Sequence, residues 1–309
     1  MAEQDKLNSF NDENKTEINI DDTNISIQNK SISEASLKKL FSIKFTKLES
    51  LSLNHLSIDN LAFLSSANIP SLQKLSLDDN NIKSLDGISN LKCDNLTELS
   101  IQRNKIESID DLSKASFPNL KRLTLTRNNI KSIDILPKTN FLNLEFIYLD
   151  NNKISSMDAL CQAPFSHLRH FNLTCNGIKN IDSLAKAPFK DIEWIYLVEN
   201  EIENIDVLGK VEFKKLKYLS LNGNKIKSID IFSNVSFVGL QRLDLEFNQI
   251  SNIDAFKNLP FTKLKHLGLR DNKINKNDET IKNIVKELEK KYEDIDVVIA
   301  QPEKGPLGF

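Results

Sequence analysis

Leucine and isoleucine recur along this chain at two spacings. Over short stretches they alternate with polar residues, as in Leu123 and Leu125 of "LKRLTLTRNN". Over long stretches the whole pattern returns every 24 residues, at Leu48, Leu72, Leu96, Leu120, Leu144, Leu168, Ile192, Leu216, Leu240 and Leu264. A period of two predicts a strand with one face on a core. Apolar residues at positions 17 and 20 of each unit, such as Leu112 and Ala115, predict a helix-like turn on the return path. A unit this short cannot bury its apolar side alone, so successive copies must stack.

The template reads L-x-x-L-x-L-x-x-N-x-I-x-x-I-D-x-L, four variable residues, then F and two more. It resembles the leucine-rich repeat family, over about residues 45–275. The resemblance implies an α/β fold: a right-handed solenoid or horseshoe with a concave parallel β-sheet, short helical or irregular convex turns, and caps at both ends.

Three columns within the repeat predict structure. Position 9 is Asn in nine repeats, Asn128, Asn152, Asn176 and Asn200 among them. An amide there can donate and accept at once, satisfying backbone groups that have no ladder partner where the chain turns inward. Position 15 is Asp in nine repeats, including Asp134, Asp158, Asp182 and Asp206. A carboxylate at the start of a helical turn is expected to accept from the orphan N–H groups. A calcium column is the other reading; calcium repeats also need a glycine-rich turn, and the chain has only 8 Gly. Position 22 is Phe in most repeats and predicts a stacked aromatic spine, with Cys93 replacing it once as a buried structural thiol.

The ends depart from the template. Residues 1–16 are polar and predict disorder. Residues 17–47 predict an N-terminal cap, a degenerate repeat with a Ser-capped helix in "SEASLKKLFSI". Residues 48–276 hold the ten repeats. Residues 277–300 predict a helical C-terminal cap, and 301–309 a tail.

Positions 3, 5 and 7 of each strand point away from the core. Position 3 runs Arg122, Phe146, His170, Trp194, Tyr218, Arg242, so four consecutive rings are flanked by Arg; position 5 adds Tyr148 and Tyr196, and Phe247 reaches in from position 8. The sole Trp and three of the four Tyr therefore share one face. Trp, Tyr and Arg are the residues of interface hot spots. The competing readings are rings that only stack across strands to stabilise the sheet, and self-association.

Composition narrows the chemistry. A net charge of −2 with 27% charged residues gives no electrostatic argument for nucleic acid or anionic membrane as the main partner. No run of about 18 apolar residues predicts a membrane span, and the polar N-terminus shows no cleaved signal peptide. Three scattered Cys predict free thiols in a reducing compartment. His170 and Cys175 lie too far apart along one strand to form a thiol–imidazole pair, and no metal or phosphate-loop motif is present, so neither catalysis nor a cofactor is expected. Lys83, Lys131, Lys179 and Lys227 form a flank stripe, interrupted by Glu107 and Glu203, that could serve RNA or phospholipid.

The expected function is a monomeric, non-catalytic scaffold binding a protein partner on the concave face. Composition and resemblance together suggest a bacterial effector acting on a host protein. The resemblance also offers a regulatory subunit of a cytoplasmic enzyme such as a phosphatase. The expected location is the cytoplasm, or export without a cleaved signal peptide to a host cytosol.

Overall fold

A computed structural model describes residues 3–299. The chain divides into two compact units: residues up to Ile154 with Gln162–Leu168, and Ser155–Cys161 with Arg169 onward.

The first unit opens with α1 (Glu3–Asn14), β1 (Asn24–Gln28) and α2 (Glu34–Phe41), followed by β2 (Ser50–Asn54), β3 (Lys74–Ser76), β4 (Glu98–Ser100), β5 (Arg122–Thr124) and β6 (Phe146–Tyr148). All six strands are parallel and pair in chain order. A short helix, α3 (Asp158–Gln162), occupies one return turn, where most other repeats use a single 3-10 turn. The second unit holds β7 (His170–Asn172), β8 (Trp194–Tyr196), β9 (Tyr218–Ser220), β10 (Arg242–Asp244), β11 (His266–Gly268), α4 (Glu279–Lys291) and β12 (Asp296–Val298). These strands too are parallel and in chain order. In each unit this is a leucine-rich-repeat solenoid: one sheet, with short helical turns on the return path.

The register explains the 24-residue period. Each strand residue pairs with its counterpart one repeat on, as Arg122 with Phe146 and Trp194 with Tyr218. Central strand residues such as Leu123 and Ile195 are fully buried, while their neighbours are half-buried. The Phe column stacks inside each unit. Phe117 and Phe141 lie 6.3 Å apart, Phe189 and Phe213 6.4 Å, and Phe237 and Phe261 5.9 Å. Cys93 fills the same slot, and burial pushes its thiol up to about 12, which makes it inert as a nucleophile.

The Asn column spans adjacent repeats. The Asn128 amide donates to the carbonyls of Ile101 at 3.0 Å and Leu125 at 3.0 Å, and its Oδ1 accepts from Ile106 N–H at 3.1 Å. Asn152 repeats this with Leu125, Leu149 and Ile130, and Asn200 with Leu173, Val198 and Ile178. Asn176 donates to Leu173 and Thr174.

The Asp column does something other than the sequence predicts. The turn is capped from position 13: Ser132 Oγ accepts from Asp134 N–H at 3.0 Å, and Ser156, Asn180 and Asn204 do the same for Asp158, Asp182 and Asp206. Asp182 and Asp206 take their carboxylate bonds from Asn180 and Asn204. The first repeat separates the two roles. There Ala62 stands in the Asp position, yet Asn60 still accepts from its N–H at 2.9 Å. A side chain two residues upstream reaches that N–H with ordinary Asx or Ser turn geometry. Only Asp278, ahead of α4, caps as expected, accepting from Thr280 N–H at 2.7 Å. Ser132→Ala is therefore expected to cost about 1 kcal/mol, while Asp134→Ala leaves the urea midpoint unchanged.

Residues 3–14, predicted disordered, form α1. Leu7 and Phe10 are its two buried residues, and α1 packs on α2. Two apolar residues three apart in an otherwise polar run suffice once α2 offers a surface. The expected tail at 301–309 lies outside the described residues. A further regularity escaped the sequence: position 8 adopts left-handed backbone in every repeat, from His55 (φ 57°) through Arg127 (φ 54°) and Phe247 (φ 55°) to Asp271 (φ 55°). Such a conformation disfavours most side chains by about 1–2 kcal/mol. It aims the position-8 N–H at the next repeat, as when Arg127 donates to the Asp150 carbonyl at 2.9 Å.

Candidate functional site

The ring-bearing positions fall into one cluster in each unit. In the first unit, β5 and β6 place Arg122 beside Phe146 and Thr124 beside Tyr148. The Arg122 guanidinium lies 4.3 Å from the Phe146 ring centre and 5.4 Å from that of Tyr148, and donates to the Tyr148 oxygen at 2.8 Å. This arrangement combines cation–π attraction with a hydrogen bond, so Arg122 is held in place and is not a free rim charge.

In the second unit, register sets His170 beside Trp194, and Trp194 beside Tyr218. The His170 ring is 6.1 Å from Trp194 and 5.0 Å from Tyr196, and Tyr196 is 4.8 Å from Tyr218. All four rings are half-buried, on the solvent face of the sheet, while Phe171, Ile195 and Leu219 between them are core. That answers why aromatic residues occupy alternate positions of strands whose other side is sealed: they pack sideways on one another and keep one surface open.

Charged groups fix both ends of this second cluster. Beside Trp194, the Arg169 guanidinium lies 5.9 Å and the Lys217 ammonium 5.5 Å from the ring centre. Glu193, 7% exposed, binds both cations, Arg169 at 2.6 Å and Lys217. Burial disfavours the Glu193 charge, but the bonds from Lys217 and Arg169 outweigh it and hold the carboxyl below the usual range. A lowered folded-state value means this contribution is complete above pH of about 4.5 and is lost as pH falls through the folded value. The stability gap between wild type and Glu193→Gln is expected to narrow on acidification below that point, read from urea midpoints across pH.

At the other end sits Asp244, which the sequence places on the exposed face. It is 1% exposed. Its carboxylate accepts from Tyr218 Oη at 2.6 Å and Arg242 Nε at 3.0 Å, and faces His266 Nε2 at 3.2 Å; His266 Nδ1 faces Asp296 at 2.8 Å. A small side chain under three large ones is roofed over, which alternation cannot reveal. Burial and the Asp244 bond push the Tyr218 phenol up, so it stays a neutral donor. Arg242 is committed to Asp244 and lies 5.5 Å from the Tyr218 ring.

Phe247 is not drawn into this cluster. Its left-handed position places it on the turn after β10, 48% exposed, against Arg270 at 5.0 Å. The missed participants are Arg169, Glu193 and Lys217 at position 2 of successive repeats. They sit one residue before the rings, and reading position 2 as a column would have found them.

The flank lysines form no continuous phosphate track. Lys131 is paired with Glu107 at 2.8 Å, and Lys179 lies 3.9 Å from Glu201. The described residues hold no cluster of metal-ligating side chains, and no helix among them is long and apolar enough to cross a membrane.

Sequence models of leucine-rich repeats match residues 70–114 and 214–258 (two copies each), 94–154, and 166–181. The chain is a leucine-rich-repeat protein. No curated protein matches it. Among solved structures it is similar to an internalin (inlF) of Listeria monocytogenes, with 21% identity over 90% of this chain and 81% of the other, at a TM-score of 0.64. It is similar to a chain in an octameric complex of latrophilin 3, Unc5D and the leucine-rich repeats of FLRT2, with 21% identity over 94% and 87% and a TM-score of 0.73. A third likeness is to a TLR13–ssRNA13 complex, with 21% identity over 80% and 40% and a TM-score of 0.62. At these identities the likeness concerns the fold. Proteins of this fold appear with both protein and RNA in those complexes, so the choice of ligand falls to the residues of this chain.

Proposed function

We propose that this leucine-rich-repeat protein is a non-catalytic scaffold that binds a protein partner through the ring cluster of its second unit, His170, Trp194, Tyr196 and Tyr218. The Arg122–Phe146–Tyr148 cluster of the first unit is a docking surface in its own right. The observation that carries this reading is Trp194. The sole Trp lies half-buried outside the core, oriented by Arg169 and Lys217, which Glu193 holds in place through a bond to each. A large apolar ring held in one orientation before any partner arrives loses little entropy on binding, which is what a hot-spot residue needs. The flank lysines form no continuous track, since Lys131 faces Glu107 and Lys179 faces Glu201, which favours protein over RNA. The narrower reading of an effector acting on a host protein rests on composition and resemblance alone.

The test is an affinity capture with immobilised wild type and a Trp194→Ala/Tyr196→Ala variant. A protein retained by the wild type should be lost from the variant by at least about thirtyfold, the loss of a hot spot worth about 2 kcal/mol or more. Equal retention by both proteins would remove the cluster from the binding surface.

A further inference from the structure

On the second unit, at the edge where strands begin, two clefts adjoin. One, of about 190 Å³, is lined by Lys214, Lys215, Lys217, Gln241 and Lys263, with Glu193 and Gly239. The other, of about 370 Å³, is lined by Gln241, Lys263, Lys265 and Lys291, with Tyr292 and Glu293. Gln241 and Lys263 belong to both walls, so the clefts form one groove. Six lysines line it against two glutamates, in a chain whose net charge is −2.

Some of those lysines are already used. Lys215 binds Asp191 at 2.6 Å, Lys217 binds Glu193, and Lys291 donates to the Leu259 carbonyl at 2.6 Å. Lys263 and Lys265, exposed at the middle of the groove, have no carboxylate within 4 Å among the described residues. Neighbouring cations with no counter-ion repel one another, and an incoming anion relieves that repulsion. The Gln241 side chain makes no hydrogen bond among the described residues, which leaves an amide at the junction able to meet a peptide group.

We infer that this groove binds an acidic peptide segment, an extended run of Asp or Glu residues belonging to another protein. The size fits. From Lys217 just before β9 to Lys265 just before β11 is two strand spacings, roughly 10 Å, and with the α4 end of the groove this matches about four or five extended residues. A nucleic acid fits less well. Tyr292, the aromatic residue of the lining, is 6% exposed and offers no face for base stacking. The inference does not depend on the ring cluster.

Gly239 supplies a test that can change sign. A Cβ built there meets nothing within 4 Å, and its backbone is not left-handed, so a side chain is accommodated at the groove wall without strain. Fluorescein-labelled hexaglutamate is titrated with the full chain at low salt and followed by anisotropy. Binding should be saturable. Gly239→Lys should tighten it and Gly239→Glu should weaken it about threefold, while Lys263→Glu/Lys265→Glu, which changes the local charge by four units, should weaken it by about tenfold or more. Lys83→Glu in the first unit should leave it unchanged. Circular dichroism melts confirm that each variant is folded. Non-saturable binding, or equal loss in Lys83→Glu, overturns the site. Tighter binding of labelled hexauridylate, lost in the same variants, overturns the peptide assignment in favour of nucleic acid.

Discussion

Asn128→Ala destabilises the first unit by about 3 kcal/mol. The amide carries bonds to two repeats at once. Its loss strands the Ile106 N–H away from water and leaves the Ile101 and Leu125 carbonyls only the amides of Asn104 and Asn152. A buried group left without a partner forfeits its hydration as well as its bond, which is why the cost exceeds that of an ordinary hydrogen bond. Asn128→Asp should fare no better. It keeps an acceptor for Ile106 but turns a carboxylate oxygen towards two carbonyls. Urea unfolding followed by circular dichroism measures both, and a loss below about 1 kcal/mol for Asn128→Ala would show that the column is not what closes the coil.

The second large effect belongs to the Phe column. Phe189 is 2% exposed and lies between Phe171 at 5.8 Å and Phe213 at 6.4 Å. Phe189→Ala is expected to cost about 4 kcal/mol, the transfer of a ring plus the cavity it leaves between stacked repeats. Because each repeat contacts its neighbours, the loss should be felt through the second unit and not spread evenly over the chain. Hydrogen exchange comparing amides of β8 and β9 with those of β3 and β4 would show it. Uniform loss of protection in both sets would contradict that.

How much of this was legible in the sequence follows from what periodicity measures. Alternation and a constant period say which side chains face inward, so the strands, the Asn column, the Phe spine and the outward position of Trp194 could all be read directly. They say nothing about who reaches whom. The turn cap was assigned to the prominent Asp134 and its equivalents, while Ser132, Asn180 and Asn204 do the capping, because a side chain two residues upstream has the shorter path to the N–H. Asp244 was read as surface and is roofed by Tyr218, Arg242 and His266, a matter of side-chain size on adjacent strands. Helix α1 was hidden because Leu7 and Phe10 make a helix only with α2 beneath them. The left-handed position 8 was hidden by variety, since His55, Arg127, Glu199 and Phe247 share a backbone conformation and no chemistry.

The central claim is that the rings of the second unit stand outside the core as a docking surface and are not a structural stack. Equilibrium unfolding of Trp194→Ala, set beside Phe189→Ala, addresses it most directly. The two rings lie five residues apart in sequence, on opposite sides of the chain. The account predicts a loss of about 1 kcal/mol for Trp194→Ala, the worth of a half-exposed aromatic contact, against about 4 kcal/mol for Phe189→Ala. A Trp194→Ala loss as large as that of Phe189→Ala would mean the ring holds the sheet together, and the docking surface would have to be sought elsewhere.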